Sequence, residues 1–253
     1  MIDSHTHYDS EQFDPDRDDI INQAVLAGVT HIINAGCDIK SSEFSIMLSK
    51  RHEAVYAAVG VHPHEASTCD ANTIDTLKIL SREPKVVAIG EIGLDYHYDF
   101  SPREVQKEWF AKQIALAVEL KLPIIIHDRE SHQDVIDIVK AMKTDTIGGV
   151  FHCFSGSTEM AREILELGLH IGIGGPVTFK KARKPVEVVQ FIPLERILIE
   201  TDCPYLAPEP YRGRRNWSGY LTSIIDKIAE IKGINYCEVE RITAENAKSL
   251  FKL

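Results

Sequence analysis

The sequence predicts an α/β fold in which parallel strands close into a barrel. Three observations lead there. Eight short apolar, β-branched runs recur along the chain, at residues 1–7, 31–36, 55–61, 86–92, 123–127, 147–152, 169–174 and 196–202. Stretches with apolar positions three and four apart lie between them, as at residues 103–120 and 159–167, and that spacing marks the buried face of a helix. The runs are apolar on both faces, which suits parallel strands covered by helices. The rival is an open, doubly wound sheet, which usually carries a glycine-rich phosphate loop after its first strand. Here that place holds His5-Thr6-His7-Tyr8-Asp9. With 253 residues, no linker and no low-complexity stretch, the chain reads as one domain, a single TIM-like (β/α)8 barrel over residues 1–253.

Each unit in turn brings its own signals. The first strand ends in His5 and His7, which lie two apart and so point to one face while Thr6 points away. The second opens with His31, at the opposite, stability face. The third runs into His62-Pro63-His64. The fourth ends in Glu91, after which Ser101-Pro102 opens the helix beginning near Arg103. The fifth ends in His127, with Arg129 two residues beyond, and the sixth ends in His152. Gly168 closes the helix before the seventh strand, in which His170 falls early. The eighth ends in Asp202, and a proline-broken loop leads from it to Arg212, Arg214 and Arg215. In such a barrel the carboxy-terminal strand ends form the active face, so these side chains converge there. His52 and His132 read as helix-end or surface residues.

Composition narrows the function. Against 38 Asp and Glu stand 28 Lys and Arg, a net charge of −10 with His neutral. Hydrophobic residues at 44% leave enough apolar surface to fold, which excludes disorder. No run approaches the roughly 18–20 apolar residues a bilayer requires, so no membrane association is expected. The polar start carries no basic leader, and five unclustered cysteines suit a reduced, cytoplasmic setting. Without paired Cys spacing a zinc finger is excluded. The acidic balance argues against wrapping long duplex DNA, which takes many cations on the phosphates. No protein partner is inferred.

The convergent set is four imidazoles and two carboxylates: His5, His7, His127, His152, Glu91 and Asp202. It suits Zn, Mn, Fe, Co or Ni better than Ca, and Mg is admissible. Six ligands are too many for one catalytic ion that keeps an open position. Two divalent ions sharing a carboxylate fit better, at the roughly 3.5–4 Å separation of binuclear hydrolases. Cys153 and Cys203 each follow a ligand candidate, and strand alternation turns both toward the helical layer as small core residues. His62 and Arg129, past strand ends on the active face, are candidate substrate contacts. Arg212 and Arg215 bring guanidinium groups, well shaped for phosphate, close behind Asp202. Lys180, Lys181, Arg183 and Lys184 read as a solvated surface.

These residues resemble a known family. Asp3-Ser4-His5-Thr6-His7, Gly60-Val61-His62-Pro63-His64, Ile89-Gly90-Glu91-Ile92-Gly93-Leu94-Asp95-Tyr96, His127-Asp128-Arg129, His152-Cys153-Phe154-Ser155-Gly156 and Glu200-Thr201-Asp202-Cys203-Pro204-Tyr205-Leu206 are similar to the motifs of the TatD-like metal-dependent deoxyribonucleases of the amidohydrolase superfamily. The resemblance implies His5, His7, Glu91 and Asp202 on one metal, and Glu91, His127 and His152 on the other, with Glu91 bridging. It implies that Asp202 orients the attacking water and accepts its proton. One departure is clear: where the family often continues Arg-Asn-Glu-Pro, this chain reads Arg215-Asn216-Trp217-Ser218. Trp217 either stacks a base or anchors the following helix, and the second role is favoured.

The leading expectation is a cytoplasmic deoxyribonuclease that uses metal-activated water to cleave phosphodiester bonds at the ends of single-stranded or frayed DNA, in the manner of a 3'-5' exonuclease. The alternative keeps the metal site and changes the bond to an amide, lactone or aminoacyl ester. A non-catalytic barrel scaffold is the third reading, and the full ligand set opposes it.

Overall fold

The computed structural model describes residues 1–142 and 144–253. Eight strands form one sheet in chain order: β1 (Ile2–Thr6), β2 (His31–Ala35), β3 (Val55–Val59), β4 (Val86–Asp95), β5 (Ile124–Arg129), β6 (Gly149–Phe151), β7 (His170–Ile173) and β8 (Ile197–Ile199). Every neighbouring pair is parallel. A parallel bridge between Thr6 and Cys203 brings the extension of β8 back onto β1. There Asp202 N–H donates to His5 O at 3.0 Å and His7 N–H donates to Cys203 O at 2.8 Å. The sheet thus closes into the expected TIM-like (β/α)8 barrel.

Nine α-helices lie among the described residues: α1 (Arg17–Leu26), α2 (Ile39–Arg51), α3 (Thr73–Leu80), α4 (Arg103–Leu120), α5 (His132–Ala141), α6 (Thr158–Glu166), α7 (Arg183–Phe191), α8 (Leu221–Lys232) and α9 (Tyr236–Phe251). Their limits follow from local chemistry. Asp38 opens α2 with a capping box, while the side chains of Ser157 and Asn235 cap α6 and α9. Gly168 follows α6 at φ 76°, as its position suggested. Pro102 precedes α4, but Ser101 has other work. Its hydroxyl donates to His64 O and accepts from Ser67 N–H, which ties the loop after β3 to the loop after β4. No helix among the described residues is long and apolar enough to cross a membrane.

The barrel floor is apolar. Ile2, Ile33, Ala58, Ala88, Ile125, Val150 and Leu198, from seven of the strands, pack with Ala247, Leu250 and Phe251 of α9. Simple alternation would not carry both Ile2 and His5 inward. The β1 register shifts between Asp3 and Thr6, which pair with Ile32 and Asn34. One extra residue on β1 reverses the alternation, so His5 and His7 face the lumen above Ile2 while Asp3 turns to Thr201. In the same way Ile89 and Ile92 of β4 pair with Ile124 and Ile126, which sets Glu91 inward above Ala88. Two of the strands that carry the site are therefore bulged. Strand lengths also differ from the simple reading: β4 runs on to Asp95, and β8 stops at Ile199, so Asp202 stands beyond the ladder at φ 57°.

Asp3 fastens the closure. It is fully buried, and its two oxygens accept from Thr201 N–H at 2.9 Å and Thr201 Oγ1–H at 2.7 Å. Burial pushes its carboxyl from 3.8 up to about 7, against the hydrogen bonds that favour the charge. A carboxyl with a raised folded pKa binds its proton more tightly when native. Its contribution is full below the unfolded value of 3.8 and is lost as pH rises through about 7. Asp3→Asn should therefore lose less stability than wild type between those pH values in urea unfolding, and a wild-type slope would contradict this. Asp3→Ala should cost roughly 1–3 kcal/mol at low pH, because Thr201 loses its acceptors, and less as pH rises through about 7.

Candidate metal centre

Six side chains meet at the carboxy-terminal end of the barrel, three of them lining a cleft of about 440 Å³. His5 and His7 come from the end of β1, Glu91 from the bulged β4 and His127 from β5, while His152 lies just past β6 and Asp202 past β8. Glu91 is central. Its Oε2 lies 3.2 Å from His5 Nε2 and 3.5 Å from His7 Nε2. Its Oε1 lies 2.7 Å from His127 Nδ1 and 2.8 Å from His152 Nε2. Asp202 Oδ1 closes the first group, 3.5 Å from His7 Nε2 and 3.9 Å from His5 Nε2. All six predicted ligand candidates are thus brought together, divided by the two oxygens of Glu91.

This donor set fits two divalent ions. His5 Nε2 and His7 Nε2 face each other at 3.0 Å, and His127 Nδ1 and His152 Nε2 at 3.4 Å. Two imidazole lone pairs at such distances repel unless a proton or a cation lies between them. The far sides of two of the rings suit the same purpose. His7 Nδ1 lies 3.2 Å from Ala35 O, and His127 Nε2 lies 3.1 Å from Asp95 Oδ2. A ring nitrogen that donates outward leaves the inner lone pair free for a metal. Behind His152 stands Glu200, with Oε1 3.5 Å from Nδ1. Gly172 makes room for that carboxylate, since a Cβ there would come within 2.5 Å of Glu200 Oε2.

Electrostatics follow the geometry. Burial alone would push the Glu91 carboxyl up, but the surrounding imidazoles, His152 foremost, outweigh it and hold the group well below its ordinary 4.5. Burial opposes the charge of Asp202 too, and His7 and its neighbours hold that carboxyl below 3.8. Burial disfavours the His127 cation, yet Asp95 and Glu91 raise its pKa above 6.5. Glu91 and Glu200 raise His152 in the same way. Without metal, the centre is a buried cluster of ion pairs.

The proposed substrate contacts fall in different places. His62 is buried, not at the rim, with Nε2 3.5 Å from Glu91 Oε1. Its Nδ1 accepts from His64 N–H at 3.1 Å, so the neutral ring carries its proton on Nε2. Burial and His127 keep the ring neutral, and in the tautomer set by His64 it presents Nε2–H toward the centre; with Glu91 and His127 it also forms a group that could hold a cation. Arg129 lines the cleft. Arg212 is exposed, its guanidinium 4.2 Å from the Phe179 ring centre. Arg215 corrects the expectation of a phosphate contact: it pairs with Asp16 at 2.6 Å and donates to Gln12 O at 2.7 Å, and so ties the loop to the start of α1.

Cysteines and loop residues complete the comparison. Cys203 is fully buried, as expected. Cys153 is not a core residue; it is half-buried and lines the cleft, turned there by φ 43°. His132 lines the cleft too. Trp217 packs against the core, and a Cβ at Gly219 would lie 2.3 Å from its ring. Sequence reasoning passed over Asp95, Glu200 and Cys37, whose Sγ is 3.7 Å from His7 Nδ1. The signal for Asp95 and Glu200 was spacing: each is a carboxylate a few residues from a ligand candidate on the same strand or its extension.

Metal and pH should be linked. The depressed carboxyls of Glu91 and Asp202 stabilise the metal-free fold above their ordinary values and lose that effect as pH falls. The raised imidazoles of His127 and His152 act fully below 6.5 and lose their effect as pH rises through their folded values. Metal requires the same imidazoles neutral. The rise in Tm on adding a divalent ion should therefore be small near pH ~5.5 and grow toward pH ~8, with protons released on binding. A pH-independent rise would contradict the ligand set. Glu91→Ala should lower occupancy at both positions and His5→Ala chiefly at one; two ions bound to the Glu91→Ala protein would refute the bridge.

Comparison with known proteins agrees with this geometry. Residues 2–252 match the family model described as TatD related DNase. The metal-dependent hydrolase YabD of Bacillus subtilis is 45% identical over 100% of this chain and 99% of its own. A protein of Erwinia amylovora named 3'-5' ssDNA/RNA exonuclease TatD is 38% identical, covering 100% of both chains. The crystal structure of YJJV, a TatD homologue of Escherichia coli k12, superposes with a TM-score of 0.94 at 30% identity, over 100% of this chain and 98% of that one. With strand ends, ligand cluster and relatives in accord from one end to the other, the chain belongs to the TatD-related DNase family of metal-dependent hydrolases.

Proposed function

We propose that the chain is a cytoplasmic, binuclear metal-dependent exonuclease acting at the ends of single-stranded DNA. The observation that carries this reading is the division of Glu91 between two groups of imidazoles beside a cleft walled by Arg129. The Erwinia amylovora relative, named a 3'-5' ssDNA/RNA exonuclease, supports the same substrate class. Free cysteines at Cys37, Cys69, Cys153, Cys203 and Cys237 suit a reducing compartment.

Held between these groups, two divalent ions would supply Lewis acidity toward a phosphoryl oxygen and would lower the pKa of a bound water toward neutrality. The protein does the rest. His5, His7 and Asp202 would hold one ion and His127 and His152 the other, with Glu91 offering one oxygen to each group. Asp202, on the cleft wall and held in its charged form by the imidazoles, accepts the proton of the attacking water. His62 presents Nε2–H toward Glu91 and the centre and steadies negative charge there. Arg129 supplies a planar cation for a phosphate. The net charge of −10 provides no long cationic track, so a strand end that enters the cleft is favoured over the interior of a duplex.

The test compares the metal-loaded protein on a linear single strand, a closed circular single strand and a panel of amides, esters and lactones. Shortening of the linear strand alone is expected. Efficient cutting of the circle would overturn the end-directed reading, and turnover confined to amides or lactones would overturn the nuclease reading. Asp202→Asn should remain folded and lose about 10²–10⁴-fold in kcat. Neutralising two to four phosphates gives a salt slope of only about −1.4 to −2.8 in log–log form on single strands, and a much steeper slope would reveal a larger basic surface.

A further inference from the structure

Next to Arg129 on the cleft wall stand two large, exposed aromatic side chains. Tyr98 and Phe100, on the loop between β4 and α4, are 49% and 67% exposed. Their rings stack with centres 5.4 Å apart and 25° between planes. Side chains of this size normally bury most of their surface, so leaving two of them together in water gives up a large hydrophobic gain. The guanidinium of Arg129, which lines the cleft, lies 5.2 Å from the Tyr98 ring centre.

This pair is held in register with the metal centre. Asp95 accepts from Tyr98 N–H at 2.9 Å and from His97 N–H at 3.0 Å through Oδ1. Its Oδ2 meets His127 Nε2 at 3.1 Å and His64 Nε2 at 2.9 Å. One carboxylate therefore positions both a ligand candidate and the backbone that carries the aromatics. From the other end, Gln106 Nε2–H donates to Ser101 O at 2.8 Å. Ring contacts run outward along the same line, from His127 to His62 at 4.4 Å, to His64 at 4.3 Å and to Phe100 at 4.8 Å. The nearby acidic groups are locally occupied, Glu130 by His97 and Asp99 by Arg103.

We infer that Tyr98 and Phe100 form a shelf on which an unpaired nucleobase of a single strand stacks while a phosphate of that strand lies at the metal centre. The inference rests on the exonuclease reading and adds to it the part of the substrate that is gripped. A flat π-face beside an arginine accepts any base, so the shelf confers preference for single strands without sequence preference. Duplex bases, already stacked, have no free face to offer.

The experiment uses the full metal-loaded chain with three proteins: wild type, the Tyr98→Ala/Phe100→Ala double variant, and Phe100→Trp. Each is assayed on a single-stranded oligonucleotide, on the same oligonucleotide with abasic sites near its end, and on bis(4-nitrophenyl) phosphate. The double variant should lower the ratio of kcat/KM for the oligonucleotide to that for the small diester by about 5- to 140-fold, through KM, which is the range one stacked base supplies. Wild type should show a similar loss on the abasic strand, and Phe100→Trp should retain the wild-type ratio. An unchanged ratio in the double variant, while wild type cuts the oligonucleotide, overturns the shelf and leaves the nuclease reading standing. An equal fall on both substrates also overturns it, because the effect then originates at the metal centre. A wild-type protein that neither binds nor cuts any oligonucleotide overturns both readings together. Dimerisation of wild type that the double variant abolishes assigns the aromatics to a second copy of the chain and overturns the shelf as well.

Discussion

Everything at this site turns on one buried carboxylate. Glu91 is almost wholly removed from water and surrounded by imidazole nitrogens. An isolated carboxylate in that position would give up its hydration for several kcal/mol and take a proton instead. The imidazoles reverse that outcome by favouring the charge more than burial opposes it. The same balance explains how a metal-binding cluster can persist without metal. Its members neutralise each other, at the cost of protons that bound cations displace.

A carboxylate that faces two groups at once has to be placed within roughly 0.5 Å, and two backbone irregularities bear on that placement. The bulge in β4 turns Glu91 inward, and the bulge in β1 does the same for His5 and His7. Asp202 lies beyond β8, held by bonds to the extension of β1 and by a left-handed backbone that Asp tolerates better than most residues. Outside the ligand candidates stand Ala35 O, Asp95 and Glu200, each facing the far nitrogen of a ring. A rigid barrel provides these fixed anchors more accurately than loops alone would.

Around this centre the surface is specialised by location. Cations are few at the mouth, and the structure assigns them different duties: Arg129 faces the cleft, while Arg215 is committed to Asp16. The proposed shelf of Tyr98 and Phe100 would add uncharged contacts to these few cations. The Trp217 departure from the family loop is absorbed by packing against the core, with Gly219 leaving space for the ring.

The architecture, and the side chains that gather at one end of it, are legible in the order of residues along the chain. Eight β-branched runs separated by helical periodicity leave few alternatives to a parallel barrel, and His5, His7, Glu91, His127, His152 and Asp202 all fall in or just past the carboxy-terminal halves of strands, where such a barrel exposes side chains to one face. The remaining contacts depend on long-range packing. Whether Arg215 meets a phosphate or Asp16 depends on a residue 199 positions away in the chain. Whether Cys153 enters the core or the cleft depends on a single backbone angle, which strand alternation does not reveal. The roles of Asp95 and Glu200 emerge only when β4 lies beside β5 and the end of β8 faces His152. Local pattern records which face a side chain prefers, but its partner across the barrel is set by register, bulges and closure, and those are properties of the folded chain alone.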